Sequence, residues 1–179
     1  MNMVSTKSEQ RTRLREKRQR LNPDYVKRAS DDLCKQLMSL IEWDKCKYLH
    51  CFLPLENDNE PDIRPVIQYA IEKGVVVYTS DPSPSTGRKV KPLINQSKQE
   101  KIIQFQINNN EIVFDYIIVP MLGFNIANKH RLGFGGGFYD RLLASQPTAK
   151  SIGVVFKEFE IIELVPETHD MPLSELLIA

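Results

Sequence analysis

The sequence predicts an α/β fold built on an open, mainly parallel sheet. Three observations carry that prediction. From Tyr48 to Thr79 an apolar run, an amphipathic stretch and a second apolar run follow one another, the sign of a βαβ unit, which takes about 30 residues. Two more apolar runs, Phe114–Pro120 and Ser151–Phe156, read as further buried strands. A glycine-rich loop, Gly133–Gly137, then follows the carboxyl end of the first of these two, where open α/β sheets place their ligands.

Taken in order, residues 1–6 carry no pattern and are expected to be disordered. Lys7 to Leu21 reads as a strongly basic helix, so residues 1–21 form an arm on a single domain spanning residues 1–179. Asn22 and Pro23 end it and start a second helix, as N-cap and first helical residue. That helix runs to about Ile41 and buries Tyr25, Leu33, Leu37 and either Leu40 or Ile41 at helical spacing. Tyr48–Leu55 is a strand and Glu56–Glu60 a polar loop. Pro61–Lys73 is a helix stopped by Gly74, and Val75–Thr79 the next strand. Asp81–Gly87 is a loop by composition. Lys89–Ile94 and Lys101–Ile107 read as short strands, an edge hairpin, before the strand at Phe114–Pro120. A helix follows the glycine loop to about Ala144, and after Ser151–Phe156 one more short strand is expected at Leu176–Ala179.

Composition bounds the function. An apolar share of 41% supports a real core, and a net charge of +1 gives no global pull toward nucleic acid or membrane. No apolar run reaches the length of a membrane span, and the basic N-terminus lacks the apolar stretch of a secretory signal. Cys34, Cys46 and Cys51 lack metal spacing and read as reduced thiols of a cytoplasmic protein. A monomer is the simplest expectation.

The chemistry concentrates in Arg131-Leu132-Gly133-Phe134-Gly135-Gly136-Gly137-Phe138-Tyr139-Asp140-Arg141, where four of eight glycines fall within five residues. Glycine reaches φ > 0 freely and leaves no side chain in a ligand's way, so such a run can curl its N–H groups around an anion. A helix N-terminus at Tyr139 adds unpaired donors and a partial positive charge. The stretch reads as a phosphate cradle with a carboxylate at its exit, and its middle glycine, Gly136, is expected to face the phosphate. No lysine with serine or threonine follows the last glycine, as a Walker A loop requires, and the run lies too late in the chain for a dinucleotide fingerprint. On the arm, Arg11, Arg15 and Arg18 share one helical face. Such a face could hold phosphate, bind RNA, or be merely solvated.

The segment RLGFGGGFYDR, with its lead-in Ile117–Phe124, resembles the signature of the 5-formyltetrahydrofolate cyclo-ligases, also called methenyltetrahydrofolate synthetases. The resemblance runs through most of the chain. It implies a Rossmann-like sheet with helices on both faces, grouped with sugar-phosphate isomerases and CoA transferases. It also implies ATP and 5-formyltetrahydrofolate as substrates and Mg²⁺ as cofactor. By the same resemblance Arg11-Thr12-Arg13-Leu14-Arg15 matches the family's Lys-x-x-Leu-Arg, so Arg11 and Arg15 bind ATP together with Arg131, Leu132, Gly133, Phe134, Gly135, Gly136, Gly137, Phe138 and Tyr139. Arg131 and Tyr139 would support the reaction, with no protein nucleophile. Glu60 would hold the pterin, with Phe52 and Leu53 as apolar wall and residues 134–138 also against the folate. Asp140 and Asp170, the latter in His169-Asp170-Met171-Pro172-Leu173, would bind Mg²⁺.

The chain departs from the family pattern in several places. Ile63 replaces a threonine, and the second strand ends Thr79-Ser80-Asp81 instead of Pro-Lys/Arg. A Gly-Ile-x-Glu-Pro segment is missing, and the loop before Arg131 is one residue longer. Asn125 stands for aspartate, Gly136 for a lysine of some members and Phe138 for tyrosine. Two other readings compete: an RNA-binding relative without catalysis, and a sugar-phosphate isomerase of similar fold.

Overall fold

The structure is a computed structural model that describes residues 6–55, 57–80, 112–179 and the backbone of 90–92. Helix α1 spans Lys7–Gln19. Its start is a capping box: Glu9 N donates to Thr6 Oγ1 and Thr6 N donates to a Glu9 carboxylate oxygen. Thr6 is thus an ordered cap and not part of an unpatterned tail; residues 1–5 lie outside the described residues. Helix α2, Pro23–Leu40, starts on Asn22, whose Oδ1 accepts from Asp24 N at 2.8 Å. Leu33 and Leu37 are fully buried, each worth about 1.5–3 kcal/mol in burial. Ile41 turns inward, while Leu40 is exposed.

The sheet contains β1 (Tyr48–Cys51), β2 (Val76–Ser80), β3 (Val90–Pro92), β4 (Tyr116–Pro120), β7 (Lys150–Val155) and β8 (Glu175–Ile178). Its order is β3-β2-β1-β4-β7-β8, and only β3 runs antiparallel. All of β4 and all of β7 beyond Lys150 are buried, which is why both strands read as unbroken apolar runs. Helix α3, Arg64–Glu72, connects β1 to β2, and α4, Phe138–Ser145, leads from β4 to β7. These crossovers step in opposite directions along the sheet, so with right-handed connections α3 and α4 cover opposite faces. The order reverses between β1 and β4, and there the sheet opens a crevice at its carboxyl edge.

Several boundaries differ from expectation for local reasons. Strand β1 ends at Cys51 because Phe52–Leu55, with Pro54 among them, leaves the ladder. Helix α3 starts at Arg64 and not Pro61. Asn57 and Asn59 adopt φ of +66° and +46°, and Asp62 Oδ1 takes Arg64 N at 3.1 Å, so the cap lies further on. Gly74 does stop α3, with φ +82°. Of the expected edge hairpin, Val90–Pro92 is a strand and Lys101–Ile107 lies outside the described residues.

The segment after β4 is a ribbon and not a plain loop. Strand β5 (Gly123–Phe124) pairs antiparallel with β6 (Arg131–Leu132). Gly123 makes room for the arm: a Cβ there would lie 2.9 Å from Leu14 Cδ1 and 2.6 Å from Ile161 Cδ1. Leu14 is the centre of the stripe Gln10, Leu14, Arg18 that α1 buries. The arm is therefore fixed against the ribbon that carries the glycine loop. No helix among the described residues is long and apolar enough to cross a membrane.

Candidate active site

The glycine loop leaves β6 at Gly133 and enters α4 at Phe138. The left-handed conformation falls on Gly135, φ +94°, and Gly137, φ +60°, and not on Gly136 between them. Those two glycines reverse the chain, while Gly136 does not need φ > 0. Gly137 caps α4 without a side chain, so the first-turn N–H donors lack a side-chain acceptor. Phe138 and Leu132 are buried.

A cavity of about 300 Å³ lies over this loop. It is lined by the whole of Arg131–Asp140 together with Arg11 and Asp170, so it gathers most of the predicted nucleotide and metal residues. Arg11 Nε donates to Gly133 O at 2.9 Å, and its guanidinium lies 3.3 Å from where a Gly135 Cβ would stand. The Arg15 guanidinium sits 5.5 Å from the Phe134 ring centroid, a cation–π contact beside the cavity lining. Arg131 is a clamp: Nη2 donates to Asp140 Oδ1 at 2.6 Å and Nη1 to Met171 O at 2.7 Å. Met171 N donates to the same Asp140 oxygen, which ties the C-terminal segment to the loop.

Asp170 accepts from Lys7 Nζ at 2.7 Å and from Glu167 N at 2.8 Å. Partial burial works to raise its pKa, but the Glu167 N–H and the Lys7 ammonium outweigh it and hold the carboxyl below its usual range. Lys7 also pairs with Glu167 at 2.9 Å. Burial would lower the ammonium, yet the two carboxylates raise it above the ordinary lysine value. Among the described residues no three or more His, Cys, Asp or Glu side chains converge as a metal site. Asp140 and Asp170, two of the three carboxylates lining this cavity with Glu167, are a set as sparse as Mg²⁺ accepts when phosphate and water complete its shell.

Of the residues expected against folate, 134–138 line this same cavity and Glu60 stands apart. Glu60 lines a second cavity of about 370 Å³ with Val26, Ser30, Pro54 and Leu55. It accepts from Leu55 N at 2.9 Å and lies 3.6 Å from Arg18 Nη2. Burial raises the Glu60 carboxyl, opposed by the Leu55 N–H and Arg18, while Asp58 adds to the rise. Phe52, expected as apolar wall, is 5% exposed and packed in the core. Leu53 is exposed, and neither Phe52 nor Leu53 lines either cavity.

Arg18 joins the two halves. It is 2% exposed, donates through Nε to Asp58 O at 2.7 Å and through Nη2 to the Asp58 carboxylate. Its guanidinium lies 5.5 Å from the Phe134 ring centroid. Helical spacing put Arg18 on the basic face but could not show it buried. Lys7 and Glu167 were not anticipated; the only signal was that Lys7 lies one turn before Arg11. His50 was missed as well. It is fully buried at the end of β1, with Nε2 2.8 Å from Ser80 Oγ and its ring 5.8 Å from that of Tyr139. Ser80 thus has a local role at the end of β2. Asn125 has one too: Nδ2 donates to Ile161 O and Ile162 O, bonds an aspartate could not make. Cys34, Cys46 and Cys51 are buried free thiols; burial pushes Cys34 up to about 11 and Cys46 up to about 12, which removes them as nucleophiles.

The model of the 5-formyltetrahydrofolate cyclo-ligase family matches residues 3–179. The chain belongs to that family. It is 25% identical over 178 residues to the cyclo-ligase of Escherichia coli K12, covering 92% of this chain and 95% of that protein. It is 38% identical to the Mycoplasma genitalium cyclo-ligase over 74 residues, 39% of this chain and 44% of that one. The 5,10-methenyltetrahydrofolate synthetase of Mycoplasma pneumoniae superposes with a TM-score of 0.76 at 18% identity, covering 96% of this chain and 98% of the other. That last likeness bears on the fold: the cyclo-ligase sheet and helices are those described above.

Proposed function

We propose that this cyclo-ligase family member converts 5-formyltetrahydrofolate to 5,10-methenyltetrahydrofolate, with ATP split to ADP and phosphate. The observation that carries the reading is the cavity that gathers the glycine loop, Arg11, Arg131, Asp140 and Asp170. The loop N–H groups, the α4 N-terminus and Arg11 bind the polyphosphate, with Arg15 at its margin. Asp140 and Asp170 would hold Mg²⁺, which when bound neutralises phosphate charge. Glu60, 3.6 Å from Arg18 Nη2, accepts hydrogen bonds from the pterin's amino group and ring N–H.

In the reaction the N5-formyl oxygen attacks the γ-phosphorus, and the bond from phosphorus to the ADP oxygen breaks. N10 then attacks the activated formyl carbon. The carbon–oxygen bond breaks, phosphate leaves with the former formyl oxygen, and the N10 proton passes to solvent. Phosphorylation turns a poor leaving group into a good one, so the protein's task is positioning and charge neutralisation. The absence of a reactive thiol among the described residues agrees with that division of labour. The RNA reading loses ground because the arm's Arg11–Arg15–Arg18 face is turned onto the glycine loop and the Asp58–Glu60 turn. We read the chain as one cytoplasmic catalytic unit, a monomer acting on small molecules. The test is an absorbance assay for methenyl-folate with purified protein. Product should form with ATP and Mg²⁺ together and fail without either; formation independent of ATP would overturn the reading.

A further inference from the structure

Lys7 is the one arm lysine whose ammonium lies in the wall of the glycine-loop cavity. Its side chain is 22% exposed, against 77% for Lys27 and 79% for Lys45 in surface pairs, so it is drawn inward. It sits one turn before Arg11 on the same helical face. The other cations there are committed to the scaffold: Arg131 to Asp140 and Met171 O, and Arg11 Nε to Gly133 O. Lys7 alone is held only by acidic side chains, Asp170 at 2.7 Å and Glu167 at 2.9 Å. An ammonium on a flexible four-carbon stem has three rotatable donors and can turn to a new acceptor without moving the helix.

We infer that Lys7 is a polyphosphate-binding residue held in reserve on Asp170, and that it exchanges the carboxylate for phosphate when nucleotide enters. The inference rests on the reading of this cavity as the nucleotide site. Asp170 is then neutralised by Lys7 in the free protein and released for a divalent cation as the ammonium turns away. The exchange links the two ligands, since each binds better once the other has moved Lys7 or taken its place. Removing the ammonium therefore has effects of opposite sign. The nucleotide alone loses a charge-assisted donor, and a divalent cation alone gains an uncovered carboxylate.

The test uses the full chain and its Lys7→Gln variant, with Arg13→Gln as a control for arm charge away from the cavity lining. ATP affinity is measured by calorimetry in EDTA, and Mn²⁺ affinity without nucleotide by the resonance signal of the free ion. Lys7→Gln should weaken ATP about tenfold, the scale of one hydrogen bond to a charged group. It should tighten Mn²⁺ by about threefold or more, a modest change because the pair is only part-buried. Arg13→Gln should move neither comparably, and Lys7→Arg, which keeps the charge, should retain most of the ATP affinity. If Lys7→Gln binds ATP as the native chain does, or loses both ligands together, or behaves as Arg13→Gln does, the inference fails while the cavity reading stands. If the native chain binds no ATP, the cavity reading itself fails and takes this one with it.

Discussion

Replacing Gly135 by valine should uncouple the nucleotide cradle from the rest of the fold. Gly135 holds φ +94°, a conformation that a β-branched residue resists. Its new Cβ would stand 3.3 Å from Arg11 Cζ and 3.4 Å from Arg11 Nε, so the guanidinium must give way. The backbone strain is about 1–3 kcal/mol. Loss of the Arg11–Gly133 bond adds about 1 kcal/mol. The free loop relaxes, and this total of about 2–4 kcal/mol must be restored when nucleotide binds. At tenfold per 1.4 kcal/mol that predicts a loss of roughly 30- to 700-fold in ATP affinity by calorimetry. The melting temperature should fall by only a few degrees, because the loop is outside the sheet. Gly136→Lys is the control: Gly136 does not use φ > 0, and the family signature the loop resembles has lysine there in some members. It should bind ATP within about threefold of the native chain, as a surface change without strain does. Native-like ATP binding by Gly135→Val would refute the cradle, and equal loss in both variants would refute the assignment of strain to Gly135.

Three further outcomes follow from the same geometry. Arg15→Ala should raise the KM for ATP several-fold by removing the cation over Phe134, with an unchanged melting curve because Arg15 is exposed; an unchanged KM would remove Arg15 from the site. Glu60→Gln should weaken folate binding by about ten- to a hundredfold while leaving ATP binding intact, and equal loss of both would remove Glu60 from the pterin. Burial pushes His50 down to about 3 from 6.5, so between those pH values the unfolded chain takes up a proton the folded chain refuses. The stability this contributes is complete above pH 6.5 and is lost as pH falls toward 3, at up to about 1.4 kcal/mol per pH unit. Denaturant titrations from pH 7 to 4 should show a shallower decline for His50→Gln, and an identical slope would mean that His50 is charged in the fold.

What the sequence made legible was local. Strand runs, the Asn22-Pro23 break, the Gly74 stop and the glycine loop are each written in adjacent residues, and each lies where expected within a few positions. Strands β5 and β6 are two residues each, too short for any periodicity, so the ribbon that carries Arg131 read as loop. Arg11, Arg15 and Arg18 look alike in a helical pattern. Their fates differ because the arm packs through Gln10, Leu14 and Arg18, which places Arg18 inside and Arg15 outside. The Lys7–Asp170 pair joins positions 163 residues apart, and no spacing rule reaches that far. Phe52 read as pocket wall because strand ends in such sheets line sites; its side chain instead lies in the core.

The central claim is that the formyl oxygen attacks phosphorus, and isotope transfer tests it directly. 5-Formyltetrahydrofolate carrying ¹⁸O in the formyl group is turned over with unlabelled ATP and Mg²⁺ in unlabelled water, and the released phosphate is analysed by mass spectrometry. One ¹⁸O atom is expected in each phosphate formed, matched one to one with methenyl product. Phosphate without label, or label lost to water while ATP is split, would contradict it.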